Sequence, residues 1–387
     1  MQMDLHHGLL AWADLAHATS APAIVITRDA RTDPPRWPDC NKCMIDAMDP
    51  FIPRPSLRDG HRMTLFGWGN PRYFPKLPAA TVRYFDVEPD ARVLAHCHWQ
   101  ARPWQHTTLI LLHGLNASSD AHYMKGIASK AFARGMNVIR LNQRNCGDTE
   151  HLSAGLFHSG LTADVRHVVE ELTTVDSLPS IAVAGYSLGG NLALKLAGEY
   201  GNRPTRAVRA VAAVSPIIEI AECVLALELR ENALYQWNFV RDLKARMRRK
   251  DHFRPGRFDL TKLKAIRTVR EFDDVYTAPH FGFKNAADYY DRASSMRVIE
   301  RIHLPALVIT AEDDPFVPVR PCRDPRLTAN PYIHLAICEH GGHCAFVGPA
   351  SGEDDGYWAE QQIVDFVERH TKEAGLEQTD VRTEVTV

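Results

Sequence analysis

The chain has no apolar run approaching the roughly 18 residues of a membrane span. Its N-terminus lacks the basic, apolar, small-residue order of a secretion signal, being interrupted by Asp4 and Asp14. A cytoplasmic protein without a membrane span is the expectation. An excess of charge of either sign is also missing: 45 Lys plus Arg face 47 Asp plus Glu, so no global field favours nucleic acid, and a small-molecule partner is expected. The eight cysteines, at 40, 43, 97, 146, 223, 322, 338 and 344, follow no repeating framework and read as reduced thiols. Cys40 and Cys43 have CxxC spacing, but the second ligand pair of a zinc site is not evident, and no metal or cofactor is expected. At 387 residues the chain buries enough surface to fold without either kind of staple. A homo-oligomer stays open.

What is present divides the chain into segments. Residues 1–48 form an extension of unassigned role: Leu5, Leu9, Trp12 and Leu15 share a helical face, and a Pro- and Arg-rich stretch runs from Arg31 to Pro38. Packing on the main domain or at a subunit contact is expected of it. From residue 80 short β-branched runs alternate with amphipathic stretches, the pattern of a largely parallel sheet between helices. Val82–Phe85 and Val93–His98 are expected to pair as an antiparallel ribbon. Strands follow at Thr107–Leu112, Val138–Asn142, Ile181–Ala184, Val208–Val214, Ala306–Thr310 and Ile333–Ile337, with a helix over Leu161–Leu172. The interval 216–304 is too long for a crossover and predicts a helical cap inserted between late strands. The expected fold is a mostly parallel, doubly wound α/β core over 49–215, completed by 305–370, with a polar tail at 371–387.

The chemistry centres on one turn. Ile181–Ala184 leads into Gly185-Tyr186-Ser187-Leu188-Gly189, and a helix-forming run follows at once. In such a strand-turn-helix elbow the flanking glycines give room and the serine is presented at a helix N-terminus, which favours negative charge on a substrate oxygen. A serine needs a base, and the base needs a group that holds its tautomer. Thr310 leads into Glu312-Asp313-Asp314-Pro315, where Asp314 is the expected acid and Asp313 the alternative. Of the later histidines His334, His340, His343 and His370, His343 fits the base: it follows a strand and Gly341-Gly342, which give its loop reach. An oxyanion requires backbone N–H donors, expected from Leu188 and, in the His113-Gly114-Leu115-Asn116 turn, from Leu115.

With these residues placed, the chain resembles the YheT-like branch of the α/β-hydrolase fold, which includes eukaryotic α/β-hydrolase-domain lipases. The likeness covers about residues 50–369 through Phe51-Ile52-Pro53, Gly60-His61, His113-Gly114-Leu115, Asn142 to Gly147 and Gly185 to Asn191. It continues in Glu271 to Asp274, Thr277-Ala278-Pro279, Gly282-Phe283, Asp288 to Tyr290, Ala293 to Ser295 and Asp313 to Phe316. It implies carboxylesterase or lipase-like activity on a small-molecule ester with the triad Ser187, Asp314 and His343. Asn145-Cys146 departs from the Gly-Cys of many relatives.

Other features are weighed as structural. His96 and His98 lack a third metal ligand and read as polar positions on a partly exposed strand. Cys344 adjoins His343, but neighbouring residues rarely aim both side chains at one point, and Cys146 is the expected pocket-wall cysteine. The basic run Arg241 to Lys250 reads as a solvated helix face, against a minor reading as an anion-attracting one. Leu234, Tyr235, Trp237 and Phe239 are candidates for an acyl pocket. The expected reaction is ester hydrolysis through an acyl-enzyme, with activity falling below about pH 6 to 7 as the base protonates. An acyltransferase on the same triad, or a non-catalytic binding protein, is the alternative.

Overall fold

A computed structural model describes residues 48–380 apart from 203, 204 and 206, with side chains as far as residue 371. The expected helical face of residues 5–15, the Cys40 and Cys43 pair and the last seven residues of the tail lie outside the described residues.

Short apolar runs with no polar side become strands buried on both faces. β3 (Thr108–Leu112), β5 (Ile181–Tyr186) and β7 (Ala306–Ala311) are buried at every position. Side chains alternate: Ile110, Leu112, Val183 and Val308 enter one apolar layer, while Leu109, Leu111, Ala184 and Ile309 enter the other. With β1 (Thr81–Glu88), β2 (Ala91–His98), β4 (Asn137–Leu141), β6 (Val208–Val214) and β8 (Ile333–Cys338) they form an eight-stranded sheet in the order β1-β2-β4-β3-β5-β6-β7-β8. β2 is antiparallel to β1 and β4, and the other neighbours are parallel. The expected ribbon and doubly wound core are both present.

α1 (Gly60–Gly69) precedes the sheet. α2 (His122–Ala133) closes one face, through Met124, Ile127 and Ala128. α3 (Thr162–Thr174) and α4 (Leu188–Tyr200) close the opposite face through Val165, Val168, Leu192 and Leu196. Between β6 and β7 the chain builds a helical insertion containing α5 (Ile220–Leu227), α6 (Ala233–Phe253) and α7 (Ala286–Ala293). α8 (Trp358–Asp380) joins α2 through Ile363, Val364 and Val367. It runs beyond residue 370, where a polar tail was expected to begin, because Lys372, Glu373, Ala374, Leu376, Glu377 and Gln378 are good helix formers.

Two sequence readings need correction here. On α6 the basic run is not simply a solvated face: Arg246 and Lys250 are buried, in phase with Val240, Leu243 and Met247. Lys250 Nζ donates to Asn145 Oδ1 at 2.6 Å and to the carbonyl of Glu150 at 3.2 Å, and burial lowers this amine to about 8. His98 is buried and accepts from Arg140 Nε at 3.2 Å, so it is an interior position. His370 lies on the packed face of α8, stacked on His334. Among the described residues no helix is long and apolar enough to cross a membrane.

Central burial sets a stability prediction. Ile110→Ala, at a fully buried position within β3, should cost about 2–5 kcal/mol. Val82→Ala, on the exposed side of β1, should stay within about 0.5 kcal/mol, both read from denaturant midpoints.

Candidate active site

The C-terminal ends of the parallel strands carry the candidate residues, where open α/β sheets place their ligands. At the end of β5 the chain must reverse into α4 within one residue. A Cβ on Gly185 would strike the backbone of Gly189, and one on Gly189 would strike the carbonyl groups of Leu112 and His113. Ser187 takes the strained position itself, at φ 54° and ψ −115°. Such a conformation costs on the order of 1–3 kcal/mol in a residue with a side chain. It is held by Ser187 N–H donating to the Val214 carbonyl at 2.9 Å and by Asn191 N–H donating to the Ser187 carbonyl at 3.0 Å. The Ser187 hydroxyl does not cap α4, so it is left facing the cavities.

The two aspartates divide their work. Asp314, whose side chain is wholly buried, places Oδ2 at 2.8 Å from His343 Nδ1. Its Oδ1 accepts from the N–H groups of Phe316 at 3.1 Å and Val317 at 2.9 Å. Because a carboxylate accepts, Nδ1 of His343 carries the proton and Nε2 is left as the basic nitrogen. Asp313 instead accepts from Gly342 N–H at 2.8 Å and meets His340 Nδ1 at 3.3 Å, which anchors the loop that carries His343.

Residues not singled out by sequence reasoning set the same loop. Thr64 Oγ1 accepts from His343 N–H at 2.8 Å and donates to the Gly60 carbonyl at 2.6 Å. Ser215 Oγ accepts from Cys344 N–H at 3.1 Å. A lone threonine and a lone serine far away in sequence carry no motif, and only Gly60 left a trace, in the Gly60-His61 pair. Cys344 contradicts the expectation that adjacent side chains diverge. At φ 65° its backbone turns left-handed, and its Sγ comes within 3.5 Å of His343 Nε2. Cys146 is buried and lines neither cavity described below.

Leu115 and Leu188, whose N–H groups are the expected oxyanion donors, both line the first of the cavities described below. Leu188 opens α4, so its N–H has no intrahelical acceptor. In the facing turn Gly114 N–H is taken by Tyr123 Oη at 3.0 Å. His113 is locked between two backbone groups, with Nδ1 at 2.8 Å from the Gly114 carbonyl and Nε2 accepting from Gln143 N–H at 3.1 Å. Burial lowers this imidazole to about 4, so it stays neutral and shapes the turn that presents Leu115 N–H.

Two cavities meet at Ser187 and share Leu115, Phe239 and Phe316 with it. The first, about 920 Å³, runs under the insertion and is largely apolar, with Leu188, Leu156, Ile217, Leu243 and Phe272 in its wall. The second, about 1250 Å³, holds His343, Cys344, Tyr123 and the insertion residues Leu234, Tyr235 and Trp237. Of the four candidate pocket residues on α6, Phe239 alone lines both. Among the described residues no group of three or more His, Cys, Asp or Glu side chains could hold a metal ion.

This sheet, with a nucleophile-type elbow after β5 and an acid and histidine after later strands, is the architecture of the α/β hydrolases. A family model described as the alpha/beta hydrolase fold matches residues 107–348. The chain is 31% identical over 323 residues to YheT, a candidate esterase of Escherichia coli (strain K12), covering 82% of this chain and 92% of that protein. By these matches the chain belongs to the YheT-like branch of the α/β-hydrolase family. A monoacylglycerol lipase of Saccharomyces cerevisiae is 30% identical over 63% of this chain and 56% of its own length. The medium-chain fatty acid ethyl ester synthase/esterase 2 of the same yeast is 26% identical over 67% of this chain and 61% of its own. Among solved structures, Pyrococcus furiosus esterase Pf2001 superposes with a TM-score of 0.53 at 16% identity, covering 78% of this chain and 95% of that one, a likeness of fold alone.

The surroundings of His343 change the expected pH dependence. Burial opposes protonation of the ring, but the Cys344 sulfur and the Asp314 carboxylate outweigh it and raise the imidazole above the usual histidine range. A general base works when neutral, so with His343 in that role the rising limb of activity is expected above pH 7, with roughly tenfold loss per unit below its midpoint. Cys344→Ala should move the midpoint down, measured as kcat/KM against pH. A limb that stays below pH 6.5 in both proteins contradicts this.

Proposed function

We propose that the protein is a serine hydrolase of carboxylic esters that uses Ser187 as nucleophile, His343 as base and Asp314 as the acid orienting it. The observation that carries the reading is the convergence, at one cavity junction, of a serine at positive φ on a helix N-terminus with a histidine fixed at Nδ1 by a buried aspartate.

His343 Nε2 passes its contact from Cys344 Sγ to the Ser187 hydroxyl and takes the proton as Oγ bonds to the ester carbonyl carbon. The carbonyl oxygen gains the negative charge between the N–H groups of Leu115 and Leu188. Collapse breaks the bond to the alcohol oxygen, which receives the proton from His343 and leaves as the alcohol. Water then gives a proton to His343, adds its oxygen to the acyl carbon, and the Ser187 oxygen leaves with that proton. The products are one alcohol and one carboxylic acid. Nothing in the cycle requires a metal or cofactor.

The name of the yeast ethyl ester synthase/esterase joins synthesis and hydrolysis, which favours a second reading in which an alcohol replaces water at the acyl-enzyme. Added ethanol would then divert product from free acid to ethyl ester at fixed acyl-enzyme formation.

A fluorophosphonate probe should label the protein at Ser187 and leave Ser187→Ala unlabelled. Hydrolysis of 4-nitrophenyl esters should fall by about 10³-fold or more in Ser187→Ala and His343→Ala, leaving only the residual contribution of the donors and of binding. Labelling that persists in Ser187→Ala would overturn the assignment, and a protein that binds esters without labelling is a receptor.

A further inference from the structure

The wall of the first cavity contains a cation without a partner. Among the described residues the buried lysines and arginines are Arg140, Arg144, Lys195, Arg246 and Lys250. Four are satisfied by protein oxygens: Arg140 by the Ser119 carbonyl, Arg144 by Asp164 and Glu88, Lys195 by the Arg292 carbonyl and Lys250 by Asn145 and backbone carbonyls. Arg246 is the exception. It is 6% exposed, and its Nε and Nη1 are buried without a hydrogen-bond partner. Its guanidinium lies 5.0 Å from the centre of the Phe157 ring, which orients the group but neutralises none of its charge.

A buried guanidinium left unpaired is costly, and folding normally supplies it with a carboxylate. The carboxylate in the same wall is not available to it. Asp273 has Oδ1 on the Thr277 hydroxyl at 2.7 Å and Oδ2 on the Tyr290 hydroxyl at 2.8 Å, and burial pushes it up to about 7. The cavity wall therefore holds a guanidinium with two unpartnered nitrogens, surrounded by apolar side chains, open to an anion that the chain itself does not provide.

The chemistry assigns this cavity to one half of the ester, an argument that rests on the function proposed above. His343 must protonate the departing alcohol oxygen, and His343 lines the second cavity and not the first. The alcohol then lies in the second cavity and the acyl chain in the first, so Arg246 faces the acyl chain.

We infer that Arg246 receives a carboxylate at the far end of the acyl chain, so that the preferred substrates are half-esters of dicarboxylic acids. The apolar wall holds the methylene spacer and the guanidinium donates to the distal carboxylate. Arg246 is a specificity-determining residue and takes no part in bond making.

The test uses the full chain and pairs of 4-nitrophenyl esters of four- to ten-carbon dicarboxylic acids, each with the distal carboxylate free or capped as a methyl ester. At the spacer length that reaches Arg246, the free carboxylate should raise kcat/KM at least tenfold over its capped twin. Arg246→Met should lower that ratio by about 100-fold, and Arg246→Lys, which keeps the charge but not the planar guanidinium, should fall between. Because an unpaired buried charge is removed, Arg246→Met should melt at or above the temperature of the parent protein.

Binding without turnover separates this inference from the hydrolase reading. Octanedioate should raise the melting temperature of Ser187→Ala and not that of Ser187→Ala with Arg246→Met. If octanedioate binds through Arg246 but no ester is cleaved, the anion site stands and the hydrolase reading falls. If esters are cleaved with no preference for the free carboxylate at any length, the inference is overturned. It is overturned equally if Arg246→Met slows both twins alike and melts lower, which marks a structural arginine. Stabilisation by octyl phosphate and not by octanedioate would overturn the carboxylate assignment.

Discussion

The close approach of β5, α4 and the end of β3 is the constraint on which the rest of the site is built. Gly189 allows the first turn of α4 to rest on the carbonyl groups of Leu112 and His113, and Gly185 allows the strand to pass beneath that turn. Any side chain at either position would push α4 away. The same contact brings the Leu188 N–H at the head of α4 beside the turn that carries Leu115, so one packing decision sets both the exposure of Ser187 and the spacing of the two candidate oxyanion donors. The strain at Ser187 is offset locally, since its N–H is taken by β6 through Val214 and its carbonyl by Asn191.

Around this elbow the chain solves a second problem, that of keeping a charged group in a dry place. A wholly buried carboxylate is unfavourable unless its lone pairs are used, and Asp314 uses them on two backbone N–H groups and on His343. The loop bearing His343 has to be as firmly placed as its partner. Asp313, Thr64 and Ser215 do this from three different parts of the chain, each by a bond to the backbone of residues 342–344. These are positioning groups, since none of them bonds the imidazole of His343.

Much of this was legible in the sequence because the fold rests on periodicity and the elbow on local order. Strands β3, β5 and β7 are uninterrupted apolar runs, and the Gly-Tyr-Ser-Leu-Gly turn lies between strand and helix, so both could be placed without tertiary knowledge. Asp313 and Asp314 were not separable in that way. Two adjacent carboxylates on a loop have no period to orient them, and the choice is made by Phe316 and Val317 amides on one side and Gly342 on the other. Cys344 was hidden for a related reason, since the usual divergence of neighbouring side chains fails where the backbone turns to φ 65°. On α6 the charges suggested a solvated face, yet Arg246 and Lys250 stand four residues apart on the same stripe as Leu243 and Met247. A sequence shows that stripe but not the oxygens that await one cation and are missing for the other.

The insertion is tied to the core at each place where the site needs it. Asn116, in the turn that carries Leu115, donates through Nδ2 to the Phe239 carbonyl at 3.0 Å. Asn232 Nδ2 donates to the carbonyl of Pro315, beside Asp314, at 2.7 Å. His61, on the helix that supports the His343 loop, meets the Tyr235 hydroxyl at 3.2 Å. Since α6 also lends side chains to both cavities, a displacement of this one helix would change the two halves of the cleft together and strain all three ties. The insertion therefore does more than cover the serine. It joins the wall of the first cavity, where Arg246 sits, to the Leu115 turn, to the loop of Asp314 and to the helix that holds the His343 loop.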